Sequence, residues 1–166
     1  MIIGGQAVLL YGEPRLTKDI DITIGVDVTR LPDVLALVRA LNLRTLADPD
    51  TFTKQTMVLP CLEPESGIRV DLIFSFTPYE QQALARAHSV RIGGADVRFV
   101  SLEDLVVHKI IAGRPRDLDD IEAVLRKNPA ADLGAITRWL GEFEAALHEP
   151  LVERFNQLCR RVKPSP

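Results

Sequence analysis

The segment Asp19-Ile20-Asp21-Ile22-Thr23-Ile24 alternates polar and apolar residues without a break, and a period of two marks a strand with one face buried and the other wet. Such a strand stacks its isoleucines on one side and sets Asp19 and Asp21 together on the other, with Cα atoms about 6.5–7 Å apart. Two like charges at that distance repel by roughly 2–3 kcal/mol at an effective dielectric near 20. Water offsets the repulsion on an exposed face, which is the ordinary reading of an isolated Asp-x-Asp. A hard cation offsets it better, because Mg²⁺ takes carboxylate and water oxygens and is usually shared with substrate phosphates.

A third carboxylate lies in a second strand-like run. Asp71 interrupts Ile68-Arg69-Val70-Asp71-Leu72-Ile73-Phe74, which is otherwise strongly apolar. It is either a satisfied polar group paired with Arg69 or a hydroxyl, or the residue that completes a metal shell and accepts a proton from an attacking hydroxyl. Upstream, Gly4-Gly5 follows the short apolar segment Met1-Ile2-Ile3 and opens a helix over Gln6 to Tyr11. Glycines let the backbone approach a ligand closely, and a helix start offers free N–H groups to a phosphate.

Along the rest of the chain, helical spacing runs from Val34 to Leu43, with Leu35, Val38 and Leu41 on one face. Thr51 to Leu62 and Gly67 to Phe76 read as strands around a turn-rich connection, Pro78 to His88 as a helix, and Ser89–Ile92 with Val97–Val100 as a hairpin around Gly93-Gly94. Ser101 followed by Asp104 resembles a capping box for a helix to Ala112. Further helices are expected over Asp117–Arg126, Asp132–Leu147 and Leu151–Val162, punctuated by Asn128-Pro129 and Glu149-Pro150. The expected fold is α/β of the α+β kind: a mixed β-sheet with flanking helices and a helical C-terminal third. One domain is expected, with a core over residues 1–127 and a helical extension over 128–166 packed on it.

Length and composition agree with this. A chain of 166 residues with 46% apolar and 26% charged residues can bury an ordinary globular core. Cys61 and Cys159 are far apart and start no metal-ligand pattern, which suggests reduced thiols and a cytoplasmic setting. The start has no signal-peptide character, and no apolar run approaches about 18 residues, so neither secretion nor a membrane partner is expected. A net charge of −3 argues against a protein that coats nucleic acid.

The pattern Gly4-Gly5 … Asp19-Ile20-Asp21-Ile22 … Asp71 resembles the signature of the DNA polymerase β-like nucleotidyltransferase superfamily. The fuller string from Ile3-Gly4-Gly5-Gln6-Ala7-Val8 through Tyr11-Gly12 to Arg15-Leu16-Thr17-Lys18-Asp19-Ile20-Asp21 is similar to its AbiEii-type toxin and minimal nucleotidyltransferase branches. A later stretch, His108-Lys109-Ile110-Ile111-Ala112-Gly113-Arg114-Pro115-Arg116-Asp117-Leu118-Asp119-Asp120-Ile121, resembles that group's Lys-x-x-Ala … Arg-x-Lys-Asp-x-x-Asp motif, with Arg116 where the group usually has Lys.

The resemblance implies the nucleotidyltransferase fold and a Mg²⁺-dependent transfer, with Mn²⁺ as the alternative ion, of a nucleoside monophosphate from an NTP such as ATP to a hydroxyl. Asp19 and Asp21 would ligate the metal and Asp71 would be the third carboxylate and base. Gly4, Gly5, Lys18, Lys109 and Arg114 would bind nucleotide, and Asp117 with Asp120 would be the acidic pair of the later motif or a helix-start charge pair. The acceptor would be a tRNA end, a protein or a small molecule, and a toxin–antitoxin role would bring an antitoxin partner. The alternative is a catalytically silent module of this fold in a toxin–antitoxin pair. Of the remaining residues, His88, His108 and His148 share no ligand spacing, Trp139 and Phe143 are expected in the core, and Arg160, Arg161 and Lys163 form a solvated tail.

Overall fold

The computed structural model describes residues 1–75 and 77–162, so Phe76, the expected end of the second long strand, and Lys163 lie outside the described residues. Contacts group the chain into two units, one of Met1–Gln6 with Leu16–Val100, the other of Ala7–Arg15 with the chain from Ser101 onward. The main break between them falls at Val100/Ser101.

In the first unit, β1 (Asp19–Thr23), β2 (Arg44–Thr45), β3 (Val58–Leu62) and β4 (Arg69–Ile73) form a mixed sheet in the order β1-β4-β3-β2. β1 runs parallel to β4, and the other pairs are antiparallel. Ile2 bridges to Ile22 on one side and to Phe99 on the other, so the expected strand end at Met1–Ile3 is a short link. It joins β1 to the hairpin β5 (His88–Ile92) and β6 (Ala95–Phe99). The hairpin turns on Gly93 and Gly94 with φ of +55° and +86°, positive values at both central positions as a two-residue hairpin turn requires.

The sheet's two faces follow from the alternation. Ile20 and Ile22 stand opposite Val70 and Leu72, and Leu59 and Cys61 continue those rows on β3. All pack with Leu31, Val34 and Val38 of helix α2 (Leu31–Ala40) in one core. Leu41, expected on the buried face of this helix, is 59% exposed. The helix starts earlier than its sequence spacing suggested, after a 3-10 turn at Val28–Arg30 capped by Asp27, so Leu31, Val34 and Val38 make the buried stripe.

The expected strand over 51–62 is only half strand. Pro49–Thr56 forms helix α3, capped by Asp48, whose side chain accepts from the Thr51 N–H at 2.8 Å, with Pro49 in the first turn. Met57, left-handed at φ +59°, ends it and releases Val58 into β3. An Asp cap and a first-turn proline outweigh the β-propensity of the threonines here. The next helix, α4 (Pro78–Arg86), opens with a complete capping box between Thr77 and Glu80 and stops before His88, which starts β5.

The second unit holds α5 (Leu102–Ala112), α6 (Pro115–Lys127), α7 (Leu133–Leu147) and α8 (Leu151–Val162), together with the later residues of α1 (Gly4–Tyr11). α5 packs on α6, α7 and α8, while α8 also packs on α6 and α7. Leu105, Ile110, Ile121, Val124, Ile136, Leu140, Leu151 and Phe155 are fully buried among these elements. Ser101 caps α5 by accepting from the Asp104 N–H, and its hydroxyl donates to the Asp104 carboxylate at 2.7 Å. Among the described residues, no helix is long and apolar enough to cross a membrane.

Candidate active site

The parallel register of β1 and β4 sets Asp21 directly opposite Asp71 and Asp19 opposite Arg69. Because Ile20, Ile22, Val70 and Leu72 take the core face, these four charged residues share the other face. Asp19, Asp21 and Asp71 are all partly buried. Adjacent strands lie about 4.8 Å apart, so Asp21 and Asp71 are nearer neighbours than Asp19 and Asp21 along β1.

The start of α1 closes onto this face. The Ile3 N–H donates to the Asp21 carbonyl at 2.9 Å, which turns the chain at Gly4 with φ of +61°. A Cβ at Gly4 would lie 2.1 Å from Asp21 Oδ2. Gly4 is therefore required twice, by its left-handed backbone and by the carboxylate against it. Gly5 follows in the same turn, and the Gln6 amide donates to the Thr17 hydroxyl at 2.6 Å, tying the loop before β1 to α1. Lys18 is exposed immediately before Asp19.

Arg69 is the counter-ion of this face. Its Nε donates to Asp71 Oδ1 at 2.8 Å, with the Asp71 side chain 14% exposed and that of Arg69 48%. The hydrogen bond to Asp71, then the charges of Asp71, Asp19 and Asp21, raise the Arg69 pKa against the effect of burial. One guanidinium thus lies in the field of all three carboxylates. Among the described residues, no group of three or more His, Cys, Asp and Glu side chains is gathered closely enough to hold a metal ion. The residues of the expected shell, Asp19, Asp21 and Asp71, share a face through the β1–β4 register, and Asp71 is hydrogen-bonded to Arg69. Their donor set still suits a hard divalent cation, being all carboxylate oxygens on one face, with an internal cation among them.

Lys109 and Arg114, expected to bind nucleotide, belong to a charge cluster in the helical unit. Lys109 Nζ donates to Asp117 Oδ1 at 2.8 Å and to Asp120 Oδ2 at 2.7 Å, and the three side chains are 6%, 4% and 7% exposed. Arg15 grips Asp120 with both Nε and a terminal nitrogen, at 2.8 and 2.9 Å. Arg114 donates to Asp117 from its own side chain, which is 75% exposed. Burial pushes the Asp117 pKa up, but hydrogen bonds from Arg114 and Lys109, together with their charges, hold it below the usual carboxylate range. Gly113, at φ +61°, supplies the left-handed cap between α5 and α6 that folds this motif back on itself.

Sequence reading named Arg69 only as a partner for Asp71, and missed that it stands among all three carboxylates. Its position two residues before Asp71 on a strand is the signal that puts both side chains on one face. Arg15 carried no such signal, because its carboxylate partner lies 105 residues away.

A family model described as nucleotidyltransferase of unknown function (DUF6036) matches residues 1–135. The chain belongs to that nucleotidyltransferase family. No curated protein matches its sequence. Solved structures share the fold at low identity. One is an antigenic nucleotidyltransferase-like protein from Paracoccidioides brasiliensis, with a TM-score of 0.52 at 19% identity, covering 87% of this chain and 78% of that one. A second is the lincosamide antibiotic adenylyltransferase LnuA in its lincomycin-bound form, at 0.50 and 15%, covering 74% and 83%. A third is the antibiotic-resistance factor ANT(2'')-Ia, at 0.57 and 16%, covering 89% and 84%. The mixed sheet with flanking helices is accordingly the nucleotidyltransferase fold.

Proposed function

We propose that this nucleotidyltransferase moves a nucleoside monophosphate from an NTP, ATP among the candidates, to a hydroxyl acceptor on a small molecule, an RNA end or a protein. The observation that carries this reading is the β1–β4 register, which pairs Asp21 with Asp71, keeps Asp19 on the same face and leaves Asp21 against Gly4. Asp19, Asp21 and Asp71 would hold Mg²⁺, or Mn²⁺ in its place, and the ion would supply charge neutralisation at the phosphates and alignment of the α-phosphate.

Asp71 takes the acceptor's hydroxyl proton as the acceptor oxygen bonds to the α-phosphorus. The bond from that phosphorus to the bridging oxygen breaks, and pyrophosphate leaves with the electron pair. Gly4 and Gly5 present backbone N–H groups to the phosphates, and exposed Lys18 adds a cation near them. Lys109 acts indirectly: it holds Asp117 and Asp120, which in turn hold Arg114 and Arg15, and Arg114 is the member whose exposure suits an anion.

The test is incubation of the protein with each labelled NTP, Mg²⁺ and either total RNA, lysate protein or an aminoglycoside or lincosamide panel. A labelled product identifies donor and acceptor class together. The Arg69–Asp71 pair supports a second reading, a catalytically silent member working with an antitoxin partner, because it satisfies Asp71 without a metal. No labelled product with any donor, and no NTP-dependent stabilisation, is the outcome that selects the silent module.

A further inference from the structure

Arg69 stands where a cation is needed. It occupies the first position of β4, in register with Asp19 and hydrogen-bonded to Asp71, the strand partner of Asp21. Three carboxylates on one sheet face repel one another, and a fixed positive charge among them lets the strands pair in the absence of any ion. Arg69 is nearly half exposed, so its guanidinium can leave by side-chain rotation into water without opening the core. With its guanidinium end open to solvent, the pair is weaker than a fully buried one. It is strong enough to occupy Asp71, yet weak enough to be displaced by a doubly charged ion with several oxygen ligands.

We infer that Arg69 is a built-in counter-cation, and that a divalent metal gains Asp71 by exchanging with its guanidinium. This rests on the metal role proposed above for Asp19, Asp21 and Asp71. Arg69 is thus a positioning residue that sets how readily the third carboxylate becomes available. It stabilises the metal-free protein and opposes metal binding, so its removal moves the two properties in opposite directions. A residue with a purely structural role would lower both together.

The experiment uses the full chain and Mn²⁺ as probe, followed by calorimetry and by the paramagnetic signal of free Mn²⁺, with melting curves in EDTA and in Mn²⁺. Arg69→Gln should melt lower than wild type in EDTA and bind Mn²⁺ more tightly by about tenfold, about 1.4 kcal/mol. Arg69→Lys, which keeps the charge but loses the planar fork, should fall between the two. Asp21→Asn serves as the control for the metal reading, and circular dichroism confirms that each variant is folded. If Arg69→Gln binds Mn²⁺ no more tightly than wild type while Asp21→Asn loses binding, the exchange is refuted and the metal site stands. If wild type, Arg69→Gln and Arg69→Lys all bind no Mn²⁺, the metal reading falls and the exchange falls with it.

Discussion

Replacing Lys109 with Met tests whether the later motif is held together by burial or by a ligand. The ammonium sits 2.8 and 2.7 Å from two carboxylates, with all three side chains 7% exposed or less. Met matches the stem and removes the charge, leaving Asp117 and Asp120 buried with only their arginines. Breaking a buried pair from one side costs about 3–5 kcal/mol. The lower end applies here, because Asp120 keeps a two-point grip from Arg15 and Asp117 keeps Arg114. At roughly 2–4 °C per kcal/mol for a chain of this size, a loss of about 3 kcal/mol lowers Tm by about 6–12 °C.

The acid limb adds a sign. The Asp117 pKa is lowered from 3.8 in the fold, so its stabilisation is fully present above about 3.8 and disappears as pH falls through the lowered value. Lys109→Met should show less of this acid-dependent loss. Adding Asp117→Asn and Asp120→Asn to it should abolish the remaining acid-dependent loss, since no carboxylate of the cluster is left to protonate. Thermal unfolding by circular dichroism between pH 2 and 7 measures all three. A Lys109→Met protein that melts within about 2 °C of wild type refutes the structural role. If it has also lost NTP-dependent stabilisation, Lys109 contacts the nucleotide directly.

Gly4→Ala should destabilise the fold by about 1–3 kcal/mol through its left-handed backbone, and it should also displace Asp21, so that Mg²⁺-NTP no longer raises Tm. Mg²⁺ with NTP at a hundredfold excess over Kd should stabilise the wild-type protein by about 2.7 kcal/mol, and Asp19→Asn or EDTA should remove that gain in a melting assay. Asp71→Asn should lower turnover by about 10²–10⁴-fold with little change in NTP affinity. A matching rise in KM with kcat unchanged would instead make Asp71 a binding group.

The face on which these charges stand was legible in the sequence. The isoleucine alternation from Asp19 to Ile24 told which side of the strand the carboxylates occupy, and the register kept that assignment. Gly93-Gly94 and the proline-marked ends of the later helices also acted as expected, and Ser101 caps its helix, with Asp104 accepting from the Ser101 hydroxyl where a full capping box accepts from the backbone N–H. The misreadings arose where local signals competed. Thr51, Thr53 and Thr56 favour a strand, but Asp48 and Pro49 capture them for α3.

What Asp-x-Asp, Gly4-Gly5 and Asp71 convey from the chain alone is an inventory of charge and the face each residue occupies, because side-chain direction follows backbone period. Which charges meet is a matter of pairing between distant segments. The β1–β4 register is what makes Asp21 a neighbour of Asp71, and it also brings Arg69 alongside Asp19. In the helical unit, Arg15 reaches Asp120 across 105 residues, and Lys109 is enclosed only once α6 folds back on α5. A lysine in a motif reads as a free cation until tertiary packing decides how much water it keeps and which carboxylates replace that water.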